Sequence, residues 1–379
     1  MLQGLDFEGR QGEKTINTII CTVGASLRKL CNMSSSEIAG HLLHLSDPVG
    51  NRDFGAEINS LASILSQSVL SSRDYLYFLT SDTEEGKRIG TALKLFFERS
   101  EHMRFREVFV TSITDLDDSR PEDFQNKGLR NLVKIIAEIY KHHMDNLLIN
   151  ATGGYKAQIA LSLAFGMGVK IPVYYRFETF NGVIKLPPMP LSLDVELWLE
   201  NKGLLDTLEM NPVINEKDLE KEYDYRINFS SLPAEIKLLI DREQDSVGHM
   251  LSLSPMGEVF VQACRLSLGK LDVEASLKES TVPIENRLKK SSKEAHSNKM
   301  ISDNQSFIDK LLSIPFIEEV WVRGSSQRFD RNEFVCKQFG EIIKARYSTR
   351  GGTLYMEIKT TARNPYELEK AVEEIQRLV

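Results

Sequence analysis

An α/β fold built on a mostly parallel sheet is expected for the first half of the chain, on three observations. Short β-branched or apolar runs recur at 18–23, 75–79, 107–110, 146–149 and 172–176. Between them, 56–69, 84–98, 129–143 and 156–168 carry apolar residues at three- and four-residue spacing. The first run, Thr18-Ile-Ile-Cys-Thr-Val23, ends at Gly24 as a buried strand entering a turn does. Strand and helix patterns in alternation imply parallel strands joined by crossover helices on both faces, with ligands at the carboxyl ends of the strands.

The later elements follow in order. Asn181-Gly182 is a strong hairpin turn, and Pro187-Pro188-Met189-Pro190 stops the strand that leaves it, closing a Rossmann-like domain at about residue 195. Residues 196–272 read as a helical or winged-helix connector, with Ser254-Pro255 as N-cap and first helical position. Residues 273–300 turn polar and charged, as a linker or exposed helix does. The last unit, 301–379, reads as α+β: helix at 302–312, strand at 317–322, a helical or irregular segment at 331–339, strands at 341–347 and 353–360 about a turn at 350–352. A final helix at 366–378 starts from Asn364-Pro365.

With 379 residues, 41% hydrophobic and 27% charged, the composition is that of a globular protein of more than one domain. No apolar stretch is long enough to cross a bilayer, and residues 1–14 lack the basic-then-apolar order of a secretion signal, so a cytoplasmic protein without a membrane partner is expected. Cys21, Cys31, Cys264 and Cys336 form no C-x-x-C pair, which argues against a metal cage or a disulfide framework. Charge is uneven: residues 283–379 hold 17 Lys and Arg against 14 Asp and Glu, within a chain of net charge −7. No histidine follows His296, so catalysis in the last unit must use other groups.

The sharpest motif is Asn150-Ala-Thr-Gly-Gly-Tyr-Lys156, in which a buried strand opens into a Gly-Gly turn and a helix starts at once. Glycines let backbone amides approach an anion, the helix amino end adds positive potential, and Lys156 reaches a phosphate. The alternative is a tight turn with glycine chosen only for its dihedrals. Thr22-Val-Gly-Ala-Ser26 and Thr80-Ser81-Asp82 end other strands at the same carboxyl edge.

Together these loops, with Pro172-Val-Tyr-Tyr and Val183-Ile-Lys-Leu-Pro-Pro-Met-Pro, resemble the CRISPR-associated Rossmann fold (CARF) sensors. Leu253-Ser-Pro-Met-Gly257 is similar to their helical connector, so the resemblance covers about residues 13–270. It implies a homodimer that binds one cyclic oligoadenylate, most often the tetra-adenylate, across its two-fold axis. By motif, the binders would be Thr22, Gly24, Ser26 and Ser81, with Asn150, Thr152, Gly153, Gly154 and Lys156. Some members of the family also cleave the ring.

A sensor needs an output, and the basic last unit is the place to seek it. A HEPN ribonuclease would need Arg and His close together on a helix, for which Arg242 and His249 are the only formal match. A PD-(D/E)xK nuclease would use Glu357 and Lys359 with Glu341 or Asp330 to hold Mg²⁺. The third option is favoured, because 341–363 resembles the carboxyl half of RelE-type ribosome-dependent mRNA interferases. These need neither metal nor histidine: Lys and Arg side chains orient the message on the ribosome, its 2′-hydroxyl attacks the adjacent phosphate, and the cations stabilise the charge that develops. The resemblance implies Lys344, Arg346, Arg350, Lys359 and Arg363, with Tyr347 or Tyr366 as base or stacking partner, Arg363 first among them. Strand alternation puts Lys344 and Arg346 on one face. A ribosomal protein as partner, a DNA-binding winged helix and a ring nuclease remain open readings.

Overall fold

A computed structural model of the chain describes residues 15–177, 179–180, 182–223, 229–270, 277–290, 295–328 and 332–377. Of the residues named above, Asn181 and Asp330 lie outside these. The chain divides into two compact units, Met1–Ser192 with Glu258–Leu266, and Leu193–Gly257 with Ser267–Val379. Connector and terminal segment therefore pack largely as one body.

The first unit is a six-stranded sheet ordered β3-β2-β1-β4-β5-β6, from β1 (Thr18–Thr22), β2 (Tyr75–Thr80), β3 (Glu107–Ser112), β4 (Leu147–Asn150), β5 (Val173–Tyr175) and β6 (Ile184–Leu186). β1 to β5 pair in parallel, and β6 runs antiparallel to β5 as the expected hairpin return. The central strands β1 and β4 are buried at every position, which is why their sequences are apolar runs without alternation. Helices α1 (Ser35–Leu43), α2 (Gly55–Ser66), α3 (Glu84–Arg99), α4 (Leu129–His143) and α5 (Lys156–Val169) cross between strands or cover them. Ile19 and Cys21 enter a core with Ile38, Leu42, Ile58, Leu61 and Phe96, whereas Ile20 faces the other side of the sheet. Tyr140 and Phe165, 6.1 Å apart edge to face, join α4 to α5. The strand order reverses between β1 and β4, and at such a switch point the loops leaving the strands part to leave a crevice.

In the second unit, α6 (Val195–Glu200) and α7 (Lys202–Met210) precede a small sheet ordered β7-β9-β8, from β7 (Ile214–Asn215), β8 (Ile240–Gln244) and β9 (His249–Leu253). Between its strands comes α8 (Glu216–Tyr223); after β9 starts α9 (Pro255–Leu268), whose Glu258–Leu266 stretch belongs to the first unit. The larger sheet runs β10-β11-β14-β13-β12, from β10 (Leu288–Lys290), β11 (Ile317–Ser325), β12 (Glu333–Phe339), β13 (Ile342–Thr349) and β14 (Gly352–Thr360). Its core face packs under α10 (Ala295–Asp303), α11 (Gln305–Leu312) and α12 (Pro365–Gln376) through Val320, Val322, Ile343, Met356, Ile358, Leu368 and Ile375. Asn364 caps α12, accepting from the Glu367 amide at 2.9 Å, with Pro365 as first helical residue, as its sequence predicts.

Two expectations are corrected here. Residues Glu333–Phe339 are not helical or irregular but a strand in antiparallel register with β13, Cys336 opposite Ala345. Cys336 turns to the core while Lys337, next to it, turns to the other face and donates to Thr207 Oγ1 at 2.9 Å. Arg242 and His249 lie on the two strands of the β8–β9 hairpin, not on a helix, and Arg242 is engaged by Glu216 at 3.0 Å. The HEPN arrangement is therefore not formed. No helix among the described residues is long and apolar enough to cross a membrane, and Cys21, Cys264 and Cys336 are buried thiols.

Candidate functional site

The loops after β1 and β4 meet at the switch point. A Cβ on Gly24 would stand 2.5 Å from the Gly154 amide nitrogen, and one on Gly153 would run into the Thr22 carbonyl oxygen and Glu57 Oε1. Gly154 has φ +101°, a conformation that other residues adopt only under strain. The turn thus needs these glycines for its dihedrals, and the close approach of the two loops needs them again. Gly153→Ala is expected to force the two loops apart, lowering the melting temperature of the first unit by several degrees and weakening any ligand held between them; thermal unfolding with and without ligand checks both.

A cleft of about 590 Å³ opens here, lined by the Val23–Ala25 turn, Arg28, residues 81–86, Asp117–Ser119, Gly154 and Tyr155. It brings together Gly24, Ser81 and Gly154 of the expected binders. The others stand behind or beside it. Thr22 and Asn150 are fully buried: the Thr22 hydroxyl donates to the Gly153 carbonyl at 2.5 Å, and Asn150 Nδ2 donates to Ser60 Oγ at 2.8 Å. Thr152 donates to Asn150 Oδ1 at 2.7 Å and accepts from the Arg176 amide at 3.0 Å. These three hold the loops in shape rather than face the cleft. Lys156 is exposed at the first position of α5, outside the cleft lining.

The cleft wall contributed by β2 and β3 is acidic. Asp82 is held below the usual carboxylate range chiefly by Lys87, at 3.0 Å, and Asp117 chiefly by its hydrogen bond from Ser119. Arg28, the cation of the lining, pairs with Glu85 at 3.3 Å. A phosphate bound in the cleft would therefore rely on backbone amides and hydroxyls at the β1–β4 side, away from these carboxylates.

Two residues of this region escape a reading of the sequence. Glu57, on α2, is completely buried beneath the first loop; its carboxylate accepts from the Gly24 amide at 2.7 Å and from the Ser26 hydroxyl. Burial pushes this carboxyl above the ordinary glutamate range, against the two hydrogen bonds, which lower it. The only signal is a charged residue within a helix of which nine of the first ten residues are buried. Arg176, just past β5, is 6% exposed; its Nε donates to the Phe180 carbonyl at 2.9 Å and its Nη1 has no hydrogen-bond partner. Burial and the nearby Arg52 lower its pKa. Its backbone amide, not its guanidinium, is what meets Thr152.

In the second unit the six expected catalytic residues do not form one cluster. Lys344, Arg346 and Lys359 share the face of the large sheet opposite the core. Lys344 is buried and paired with Glu357 across the strands, and Arg346 is buried and paired with Glu333 at 3.1 Å. Lys359 is exposed and 3.4 Å from Glu319. Arg350 sits in the β13–β14 turn, whereas Arg363 and Tyr366 follow the far end of β14, about 27 Å away for nine extended residues. Tyr347 points to the core face, stacked on Phe307 with ring centroids 4.0 Å apart. For the metal-nuclease alternative, Glu357 and Lys359 do share a face, but the Glu357 carboxylate is taken by Lys344. Among the described residues no group of three His, Cys, Asp or Glu side chains is placed to hold a metal ion.

The family model described as CRISPR-associated protein (Cas_APE2256) matches residues 52–189, which run from the amino end of α2 through the second loop to the β5–β6 hairpin. Among solved structures, the chain is similar to Can2 from Sulfobacillus thermosulfidooxidans in complex with cyclic tetra-adenylate, at 11% identity and a TM-score of 0.24, over 54% of this chain and 57% of that one. The chain thus spans less than two thirds of Can2. It is also similar to protein VC1899 from Vibrio cholerae, at 11% identity and a TM-score of 0.22, over 89% of this chain and 78% of that one. No curated protein sequence matches.

Proposed function

We propose that the protein is a cyclic-oligoadenylate-activated effector of a type III CRISPR system, in which a homodimer of the first unit senses the ring and the second unit cleaves message on the ribosome. The observation that carries the sensor half is the meeting of the Thr22–Ser26 and Asn150–Lys156 loops at the β1–β4 switch point, with Gly24 against Gly154. There, backbone amides and the Ser81 hydroxyl line a cleft suited to phosphodiesters. The match of residues 52–189 to a CRISPR-associated family supports the same reading, and cyclic tetra-adenylate, the ligand of the Can2 complex, is the first ring to test.

The effector half rests on the resemblance of 341–363 to RelE-type interferases. In that chemistry the message's 2′-oxygen forms a bond to phosphorus, the bond to the 5′-oxygen breaks, and cations stabilise the five-coordinate transition state. Lys359, Arg363 and Tyr366, within eight residues at the carboxyl end of β14, are the candidates carried forward. Ring binding would shift an equilibrium between sensor states that contact the ligand differently.

The test is a translating extract with and without cyclic tetra-adenylate, in which message ends are mapped for wild type and Arg363→Ala, beside free RNA treated with EDTA. The expected result is ligand-dependent cleavage of ribosome-bound message only, lost in the variant. Cleavage of free nucleic acid that requires Mg²⁺ and Glu357 would replace the interferase by a metal nuclease.

A further inference from the structure

The open half of the large sheet carries a feature that the catalytic candidates leave unused. Trp321, on β11, is 45% exposed although its neighbours Val320 and Val322 are buried in the core. Its indole Nε1 donates to Glu319 Oε2 at 3.0 Å, which fixes one edge of the ring. Arg323, two residues on, shares its face and stands opposite Tyr355 of β14, itself held by a 2.8 Å hydrogen bond from its hydroxyl to Gln327 Oε1. Trp321 stands opposite Glu357, so Trp321 and Tyr355 are diagonal neighbours, about 7–8 Å apart. Lys289, on β10, flanks Trp321 on the other side, and Lys359 completes the surround. The two carboxylates on this patch, Glu319 and Glu357, are each ion-paired with a lysine.

We propose that this face is a stacking platform for single-stranded RNA, with Trp321 and Tyr355 each receiving a base and Arg323 and Lys289 following the phosphates. The proposal rests on the effector reading above for the identity of the strand, and it names the site where that strand is held outside the reacting centre. Two hydrogen-bonded aromatic rings on one sheet face, bordered by cations, suit unpaired bases, whose faces are available only in single strands. The excess of Lys and Arg over acids in 283–379 complements a polyanion. A duplex hides its base faces and would gain only the phosphate contacts.

The chain supplies its own probe, because it has two tryptophans and Trp198 is completely buried. A short oligouridylate titrated into the full-length protein, without activator, is expected to quench the exposed tryptophan fluorescence, with an affinity that falls as salt rises. The quench is expected to vanish in Trp321→Phe, whereas Trp198→Phe keeps it. By anisotropy of a labelled strand, Trp321→Ala is expected to bind about tenfold more weakly at unchanged melting temperature. No quench overturns the proposal, as does a quench that depends on protein concentration alone, which would make Trp321 a contact between copies of the chain. Equal quenching by duplex RNA overturns it too. The outcome is separable from that of the effector reading: RNA bound at Trp321 with no ring-dependent cleavage keeps the platform and removes the interferase, whereas ring-dependent cleavage with an unchanged KM in Trp321→Ala does the reverse.

Discussion

Cyclic tetra-adenylate is expected to bind the wild-type protein more tightly as pH falls through the titration of Glu57, and Glu57→Gln is expected to bind it equally well across that range. The carboxylate lies directly beneath the Gly24 amide and the Ser26 hydroxyl, the groups that the first loop would offer to a phosphate. When ionised it competes for these donors and repels the ligand. One unit charge about 8 Å away, in surroundings of effective dielectric about 20, is worth about 2 kcal/mol, or close to thirtyfold in affinity. Burial raises this carboxyl above the ordinary glutamate range, so the folded protein takes up its proton at a pH where the unfolded chain has lost it. Its effect on stability has the matching sign: stability is greatest below the unfolded carboxyl's pKa and declines as pH rises through the raised folded value. In Glu57→Gln the amide oxygen still accepts from Gly24 and the amide nitrogen donates to Ser26, so loop geometry is retained while the charge is gone. Glu57→Ala removes both partners and leaves a cavity, and is expected to cost about 1–3 kcal/mol of stability and to bind poorly at every pH. Calorimetric titration at several pH values, paired with thermal melts, separates the three proteins. A pH dependence that persists in Glu57→Gln would place the titrating group elsewhere.

How much of this was legible in the sequence depends on what each residue's neighbours contribute. β1 and β4 announced themselves because central parallel strands are buried on both faces, and Gly24 and Gly153-Gly154 because backbone has to pass backbone there. The division of labour among the loop residues was not legible. Thr22 and Asn150 look like ligand groups until the packing shows their side chains turned inward to Gly153 and Ser60. Glu57 was invisible for the opposite reason, since a lone glutamate in a helix reads as a solvated surface residue unless the whole helix is known to be buried. In the second unit, alternation correctly set Lys344 and Arg346 on one face, but nothing local to β13 tells that the face is covered there. That covering comes from a distant segment, through Lys337 reaching Thr207 on α7. β12 was missed because Lys337 and Gln338 together blur its two-residue period.

The burial of Lys344 and Arg346 gives the effector reading its most decisive test. Arg363→Ala is expected to lower message cleavage at least a hundredfold while leaving the melting temperature unchanged, the size of effect seen when a group that stabilises transition-state charge is removed. Arg363 is exposed just before the Asn364 cap, and its backbone, not its side chain, serves the helix: its amide donates to Glu367 at 2.8 Å. Truncating the side chain therefore removes a cation and no packing. Lys344→Ala and Arg346→Ala differ in kind. Each removes a buried cation from its ion pair and opens space under covering residues, so each is expected to lower stability by about 1–2 kcal/mol and activity only in proportion to the folded fraction lost. Melting curves read beside initial cleavage rates distinguish the two classes. If Lys344→Ala abolished cleavage at full stability, the buried face would have to open in the active state, and the ring-driven step would be an uncovering of the sheet. If Arg363→Ala left cleavage intact, the reacting phosphate would have to lie elsewhere on the unit, and the resemblance that nominated Arg363 would fail at its most specific residue.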